Sequence, residues 1–590
     1  MEFYMKIFKK SAALVFTLLM SLSLLASCSA VPEQKKEEKT YEGTHEEIIN
    51  AFYEDHKDTA AGMMVGVFDR NGTVYEGYYG YSNVAEGVKV DENTVIDWGS
   101  TTKTMVWVSV MQLWEQGKID LEKDIREYLP EGFLKNLRYD KPVRMIDLMN
   151  HRAGFQEYYT DMFLRVGSKF HTLEEALTLD QPEQVFEPDT ITAYSNWGVS
   201  LAAYIVERIS GQSFADYVHE HVFEPLGMKD SALAPDLMDN PSVRERRDKL
   251  VCYQGTVPVG NAFYYISMYP AGACVSTLKD YIKYGSCFVQ DKFPLFERQN
   301  TFDVMMTATS YFADTKITRN AHGFWALPYG EAVYGHGGNT QACSSYITFD
   351  LKTKIGCVVM TNQAGEHNFN YEMFKHIYGE NVWDDPAAEA KVKDGFYHPA
   401  RSVLKGHFQI MGASYLSKDT FKEWYWTYNE KNSIPKIEEM YGDYYLASPA
   451  HAIFECVLIY GWAISLVFAF VSLVVKGIRA IVRKVKKSTK KIVLGAQTGF
   501  MSLVILLLGL MGLVIMTLVT MWFPYQTYTW AFPACGVLAL VLAALTVFSV
   551  VKFFKTPAKE SSVIRKIYNI AAVLLSVLNV VFVIYLNLWH

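Results

Sequence analysis

Four apolar stretches in the last quarter of the chain, roughly 453–475, 492–521, 530–551 and 567–588, are each long enough to cross a hydrocarbon layer of about 30 Å. Soluble core helices are rarely so long and so free of charge, so residues 451–590 are expected to form an all-α bundle of four transmembrane helices. Lys476, Arg479, Arg483, Lys484, Lys486, Lys487, Lys490 and Lys491 separate the first two runs, and Lys552, Lys555, Lys559, Arg565 and Lys566 the last two, whereas 522–529 carries neither Lys nor Arg. Basic connections stay in the cytoplasm, which places 29–450 on the outer face of the cell membrane. Between bilayer-length runs, such basic segments read as determinants of topology rather than as a nucleic-acid patch.

The other end of the chain agrees. Lys6, Lys9 and Lys10 precede an apolar run over 12–25, the build of an export signal. Leu25-Ala26-Ser27-Cys28 resembles a bacterial lipobox, which makes Cys28 the expected lipidation site; ordinary cleavage after a small residue is the plainer alternative. A charged, core-poor stretch follows, so 29–44 reads as a flexible linker. A net charge of -7 over 590 residues gives no basic face and no argument for nucleic acid. Of the eight cysteines, Cys252, Cys274, Cys287, Cys343 and Cys357 fall in the exported part, an odd and irregular set that suggests neither a full disulfide framework nor a zinc site.

Between linker and bundle, apolar runs over 62–68 and 73–81 flank Arg70-Asn71-Gly72, a strong hairpin signal. Strands are also expected over 344–349 and 354–361, and helices over 105–114, 197–209 and 214–222. Strands at both ends with helices between predict an α+β domain over 45–385: an antiparallel sheet built from the two chain ends, an inserted helical lobe, and a cleft where they meet. Residues 386–450, rich in Tyr, Trp and charge, read as a membrane-proximal extension whose role the pattern does not show.

Ser100-Thr101-Thr102-Lys103 sets a hydroxyl and an amine three residues apart, on one face of a helix, so that Lys103 can reach the proton of Ser100. The spacing recurs at Ser276 and Lys279, where Ser276 suits the start of a helix and a structural role, and at Ser488 and Lys491 in a basic loop expected in the cytoplasm. Ser100 differs in context, because it opens the most apolar helix of the domain, where a lysine is costly unless used. Tyr194-Ser195-Asn196 follows, then Gly335-His336-Gly337-Gly338 before strands. Singly, the second element also fits a helix cap and the third a glycine turn.

Together, Ser-x-x-Lys, Tyr-x-Asn and His-Gly-Gly in this order resemble the serine beta-lactamase and penicillin-binding protein superfamily, on its class C beta-lactamase branch with related D-peptidases and esterases. The resemblance spans about residues 45–380 and includes Tyr128-Leu129-Pro130, Pro225-Leu226-Gly227-Met228 and Pro270-Ala271-Gly272. It implies acyl transfer through Ser100, with Lys103 and Tyr194 sharing the proton work. A phenol with a pKa near 10 needs a nearby cation to act as a base, and Lys103 is the expected one. The resemblance further implies that Asn196 holds Lys103 and the substrate amide, that Gly337, Gly338 and Asn339 form the edge strand for substrate, and that the N–H groups of Ser100 and Asn339 form the oxyanion hole. His336 stands where dedicated lactamases carry Lys, and His151 in Asn150-His151-Arg152-Ala153-Gly154 is assigned a structural role.

The resulting expectation is a membrane-anchored serine hydrolase acting on a small-molecule or peptide substrate, a D-amino-acid-containing amide or ester. It calls for no metal and no cofactor, and it leaves the oligomeric state open. A beta-lactamase, or a prodrug-activating D-peptidase of the kind that joins this domain to C-terminal spans, fits the same residues. The alternative of another class is a non-catalytic sensor of penicillins or cell-wall fragments, which the two short basic loops make a poor fit for lack of an output domain.

Overall fold

The structure is a computed structural model that describes residues 39–158, 162–255, 257–298, 300–312, 315–380, 393–401, 414–416, 427–429, 435–486, 496–520, 530–555, 563–586 and 588. Cys28, the signal and most of the linker lie outside the described residues, as do Lys487, Lys490, Lys491 and the connection 521–529.

The larger sheet is assembled from both ends of its segment. Helix α1 (His45–His56) precedes the hairpin of β1 (Gly62–Asp69) and β2 (Gly72–Asn83), which continues into β3 (Val88–Lys89). The return strands are β4 (Ser310–Tyr311), β5 (Thr318–Ala321), β6 (Phe324–Ala326), β7 (Val333–Asn339), β8 (Ser344–Asp350) and β9 (Ile355–Thr361). They form one nine-stranded antiparallel sheet in the order β4-β5-β6-β7-β8-β9-β1-β2-β3. β1 and β9 are central and covered on both faces, which is why they read as nearly unbroken apolar runs. Met63, Val65 and Val67 of β1 face Phe52 of α1 and the aromatic cluster of Phe369 and Phe374, while Met64 and Phe68 face the helical lobe.

The lobe is centred on α2 (Lys103–Glu115) and α3 (Asn196–Ser210), which pack against each other. α2 is buried on all sides, Trp107 included, so its weak amphipathicity follows from its central position. α4 (Leu278–Ser286) packs on β1 and β9, capped by Thr277. Ser276, expected at a helix start, lies instead in the strand Val275–Thr277, where its hydroxyl accepts from Trp98 Nε1 at 2.7 Å. The cysteines Cys252, Cys274, Cys287, Cys343 and Cys357 are buried and free.

Residues beyond the domain form a second sheet. Strands β10 (Gly395–Pro399), β11 (Ser414–Leu416), β12 (Thr427–Asn429), β13 (Lys436–Glu438) and β14 (Asp443–Leu446) pair in the order β11-β10-β14-β13-β12. This sheet is bound tightly to the preceding domain. Asp443 is fully buried, with Arg319 at 2.8 Å and Lys436 Nζ at 2.7 Å. Its carboxylate also accepts from Thr192 N at 3.0 Å, and Ala193 bridges Gly442 in antiparallel pairing. The segment that leads into Tyr194 is therefore held by the second sheet.

Among the described residues, four helices are long and apolar enough to cross a membrane: α5 (Pro449–Val485), α6 (Ala496–Thr520), α7 (Ala531–Lys555) and α8 (Val563–Tyr585). Each packs on the next and α8 closes on α5, with Asn579 Nδ2 donating to Ser465 Oγ at 2.8 Å across that last pair. This arrangement points to membrane association. α5 runs further than the apolar pattern implied, continuing through Lys476, Arg479 and Arg483, because Lys and Arg are themselves good helix formers.

Replacing Asp443 by Ala leaves Arg319 and Lys436 buried with reduced compensation, so D443A is expected to lose about 3–5 kcal/mol of stability. The readout is the midpoint of urea or thermal unfolding of the full-length protein in detergent.

Candidate active site

Ser100 sits in a 3₁₀ turn, Gly99–Thr102, that runs directly into α2. With three residues per turn, side chains at i and i+3 eclipse, so the turn aligns Ser100 with Lys103 more closely than an α-helix would. Lys103 Nζ donates to Ser100 Oγ at 2.8 Å and to the carbonyl of Ala271. The lysine is fully buried. Burial drives its pKa well below the ordinary lysine value, opposed by the charge of Glu157 and reinforced by that of Arg401.

The turn is clamped by β7 and β8. The Trp98 carbonyl accepts from Ser345 Oγ at 2.6 Å and Thr101 Oγ1 at 2.9 Å. Gly99 has φ +54°, and a Cβ there would meet Asn339 N at 2.6 Å. A Cβ on Gly338 would fall 1.9 Å from the Trp98 carbonyl oxygen and 3.0 Å from Ser100 N. These two glycines let the backbones of the Ser100 turn and of β7 touch, which brings the N–H groups of Ser100 and Asn339 to one end of the cleft. β7 pairs with β6 only through Tyr334 and Gly335, while His336, Gly337, Gly338 and Asn339 pair on one side with β8. The Gly-His-Gly-Gly motif, which by position precedes the strands 344–349 and 354–361 and by resemblance supplies the strand for substrate, lies in the strand beside Ser100. The Asn339 side chain accepts from Gly365 N at 2.9 Å and Ser344 Oγ at 2.6 Å, which anchors the strand end.

Tyr194 closes the third side. Lys103 Nζ lies 5.1 Å from its ring centroid, and His151 stacks on the ring at 4.4 Å between centroids. Ser195 caps α3 by accepting from Gly198 N at 2.9 Å, so the capping role and the placement of Tyr194 and Asn196 coexist in one tripeptide. Asn196 is buried in the first turn, and its N–H donates to Glu157 Oε2 at 2.8 Å. His336 is buried, its ring 6.1 Å from that of Tyr194. Ser100, Lys103, Tyr194, Asn196, His336, Gly337, Gly338 and Asn339 therefore gather around one cleft.

Three further residues there lacked a sequence signal. Glu157 is buried beside Asn196, and burial raises its pKa against the opposing influence of Arg401, Ser195, Lys103 and the Asn196 N–H. Arg401, half-buried and carried just past β10, places its guanidinium carbon 5.1 Å from the Tyr194 ring centroid. Tyr441, just ahead of β14, bonds Tyr346 at 2.8 Å and packs on Trp325. Arg401 and Tyr441 lie hundreds of residues from Ser100 in a segment without a motif, and Glu157 is one carboxylate among many, so only the fold identifies them.

Both histidines of the cleft are neutral. Burial lowers His336 to about 3, Lys103 adding to the effect and the Gly337 carbonyl opposing it; Nδ1 donates to that carbonyl at 2.7 Å, which leaves Nε2 as an acceptor. His151, at φ +54°, accepts from Ser195 N at 3.1 Å through Nδ1, and burial holds it well below the ordinary imidazole value. Each folded pKa lies below the unfolded value of about 6.5, so the unfolded chain takes up protons first and stability falls as pH drops from about 6.5. Melting temperature measured against pH should show this slope, and H336N should flatten it between pH 6 and 4.

The family model described as Beta-lactamase matches residues 49–377. The D-alanyl-D-alanine-carboxypeptidase/endopeptidase AmpH of Escherichia coli (strain K12) is 26% identical over 260 residues, covering 43% of this chain and 64% of AmpH. The match thus spans less than two thirds of that relative. Penicillin-binding protein 4 of Amycolatopsis lactamdurans is 24% identical over 352 residues, covering 57% of this chain and 89% of the relative. Among solved structures, the octameric penicillin-binding protein homologue from Pyrococcus abyssi superposes with a TM-score of 0.48 at 20% identity, covering 68% of this chain and 99% of that one. With more than half of its length matched by that family model, and with the serine, lysine and tyrosine of its motifs around one cleft, the chain belongs to the beta-lactamase family.

Proposed function

We propose that this chain is a membrane-anchored serine hydrolase that cleaves an amide or ester through an acyl-enzyme on Ser100, with its catalytic domain on the outer face of the cell membrane. The observation that carries the reading is the contact between a fully buried Lys103 amine and the Ser100 hydroxyl at 2.8 Å. A lysine driven toward its neutral form by burial is a competent base, whereas an exposed one is protonated at pH 7.

In the proposed reaction Ser100 Oγ bonds to the substrate carbonyl carbon as its proton passes to Lys103 Nζ. The N–H groups of Ser100 and Asn339 stabilise the oxyanion. Collapse of the tetrahedral adduct breaks the bond to the leaving amine or alcohol, which takes a proton relayed by Lys103 and Tyr194, and water then releases the acyl group. Lys103 was expected to be the cation that activates Tyr194; its burial transfers that electrostatic role to Arg401. Glu157 orients the start of α3 and balances the two basic groups.

Substrate class follows from charge. His336, neutral at pH 7, supplies no cation for a substrate carboxylate, and Arg401 at the half-buried rim does. A peptide ending in a free carboxylate suits that geometry, and the carboxypeptidase named AmpH points the same way. A neighbouring pocket whose lining includes Phe163, Phe263, Tyr264 and Ile266 together with the polar Asp97 and Gln341 offers a mixed surface to the acyl side. Orientation rests on the basic residues at the end of α5 and between the last two apolar runs.

Incubation of the full-length protein with a fluorophosphonate should add one adduct by intact mass, and S100A should abolish it. Y194F should lower kcat by about 10²–10⁴-fold, the usual worth of a positioned proton donor. R401Q should lower kcat for peptides and neutral p-nitrophenyl esters alike, through Tyr194, and should raise KM only for peptides ending in D-Ala carboxylate. Equal labelling of wild type and S100A ends this reading, and labelling without turnover of any substrate favours a binding protein.

A further inference from the structure

Away from the cleft, a second group of ligating side chains lies where the five-stranded sheet meets the helix bundle. His398 comes from β10, and His451 and Glu455 come from the first two turns of α5, one helical turn apart on the same face. One donor atom of each lies within 4.8 Å of the others. His398 Nε2 is 3.6 Å from Glu455 Oε2, and His451 Nε2 is 3.3 Å from Glu455 Oε1. Ligands at about 2.0–2.1 Å around a tetrahedral ion lie about 3.3 Å from one another, so each histidine stands near that spacing from one of the two Glu455 oxygens. His398 and Glu455 are buried, while the half-exposed His451 gives solvent a route to the cluster.

A simple ion pair needs one imidazolium beside the carboxylate. Here two rings from separate elements converge on one glutamate with centroids 5.1 Å apart, a geometry that sets two like charges together if both are protonated. Two neutral imidazoles and a carboxylate avoid that repulsion by sharing a cation. Calcium and magnesium favour all-oxygen shells, whereas this mixed nitrogen and oxygen set suits zinc. Tyr585 of α8 completes the surround: its hydroxyl donates to Glu455 Oε1 at 2.6 Å and lies 3.2 Å from His451 Nε2.

We propose that His398, His451 and Glu455 form a zinc site that fastens the second sheet to the helix bundle. The fourth position is left to water or to the Tyr585 hydroxyl. The ion would join β10 to α5 directly and reach α8 through Tyr585. It would also steady the strand whose end carries Arg401, three residues past His398. The site is structural and stands independently of the reaction at Ser100.

The test is metal content of the full-length protein in detergent, stripped with a chelator and dialysed against zinc chloride. Wild type should retain one zinc per chain by elemental mass spectrometry, and its cobalt(II)-substituted form should show the strong visible absorption of a tetrahedral site. H398A and H451A should retain almost none, and zinc should raise the melting temperature of wild type only. H451A alters a half-exposed residue, so its cooperative melting without zinc serves as the folding control. Stripped wild type that takes up no zinc, a preference for calcium or magnesium, or undiminished zinc in both variants overturns the proposal.

Discussion

A lysine amine taken entirely out of water governs the arrangement of this molecule. Lys103 is fully buried at the start of the central helix, where an isolated ammonium would cost several kcal/mol after relaxation. The fold meets that cost by giving the nitrogen the Ser100 hydroxyl and the Ala271 carbonyl and by moving its proton equilibrium toward the amine. The same desolvation that makes the residue expensive favours its neutral, basic form. The surroundings serve this end: Ser345 and Thr101 tie down the Trp98 carbonyl, and Gly99 and Gly338 allow two backbones to meet where any side chain would separate them.

The remaining charges of the cleft follow the same economy. His151 and His336 are kept neutral by burial, each using Nδ1 for a backbone group, so neither adds a cation beside Lys103. Arg401 carries the positive charge at the rim, and Glu157 the carboxylate beneath. Two of these four residues were unassigned by motif, and His151 acts as a stacking plate for Tyr194 as well as a corner of the loop.

The five-stranded sheet joins the catalytic cleft to the bundle. Through Asp443 it holds the chain leading to Tyr194, through Arg401 it reaches the cleft, and through His398 it contacts α5. A segment that lies outside the matched family region thus forms part of the cleft wall.

The sequence by itself determined the parts that are local. The hairpin around Asn71-Gly72, the buried helix after Ser100, the pairing of Ser100 with Lys103 and the four apolar helices depend on periodicity and on spacings of a few residues, which the chain writes directly. Tertiary structure alone decided the rest. Glu157, Arg401 and Tyr441 come to the cleft through long-range packing, and Ser276 lies in a strand because it pairs with residues far away. The charge states of Lys103 and His336 were equally hidden, because a pKa is set by desolvation and by neighbours in space. Spacing can bring an amine to a hydroxyl, but only the packed interior decides whether that amine carries a proton.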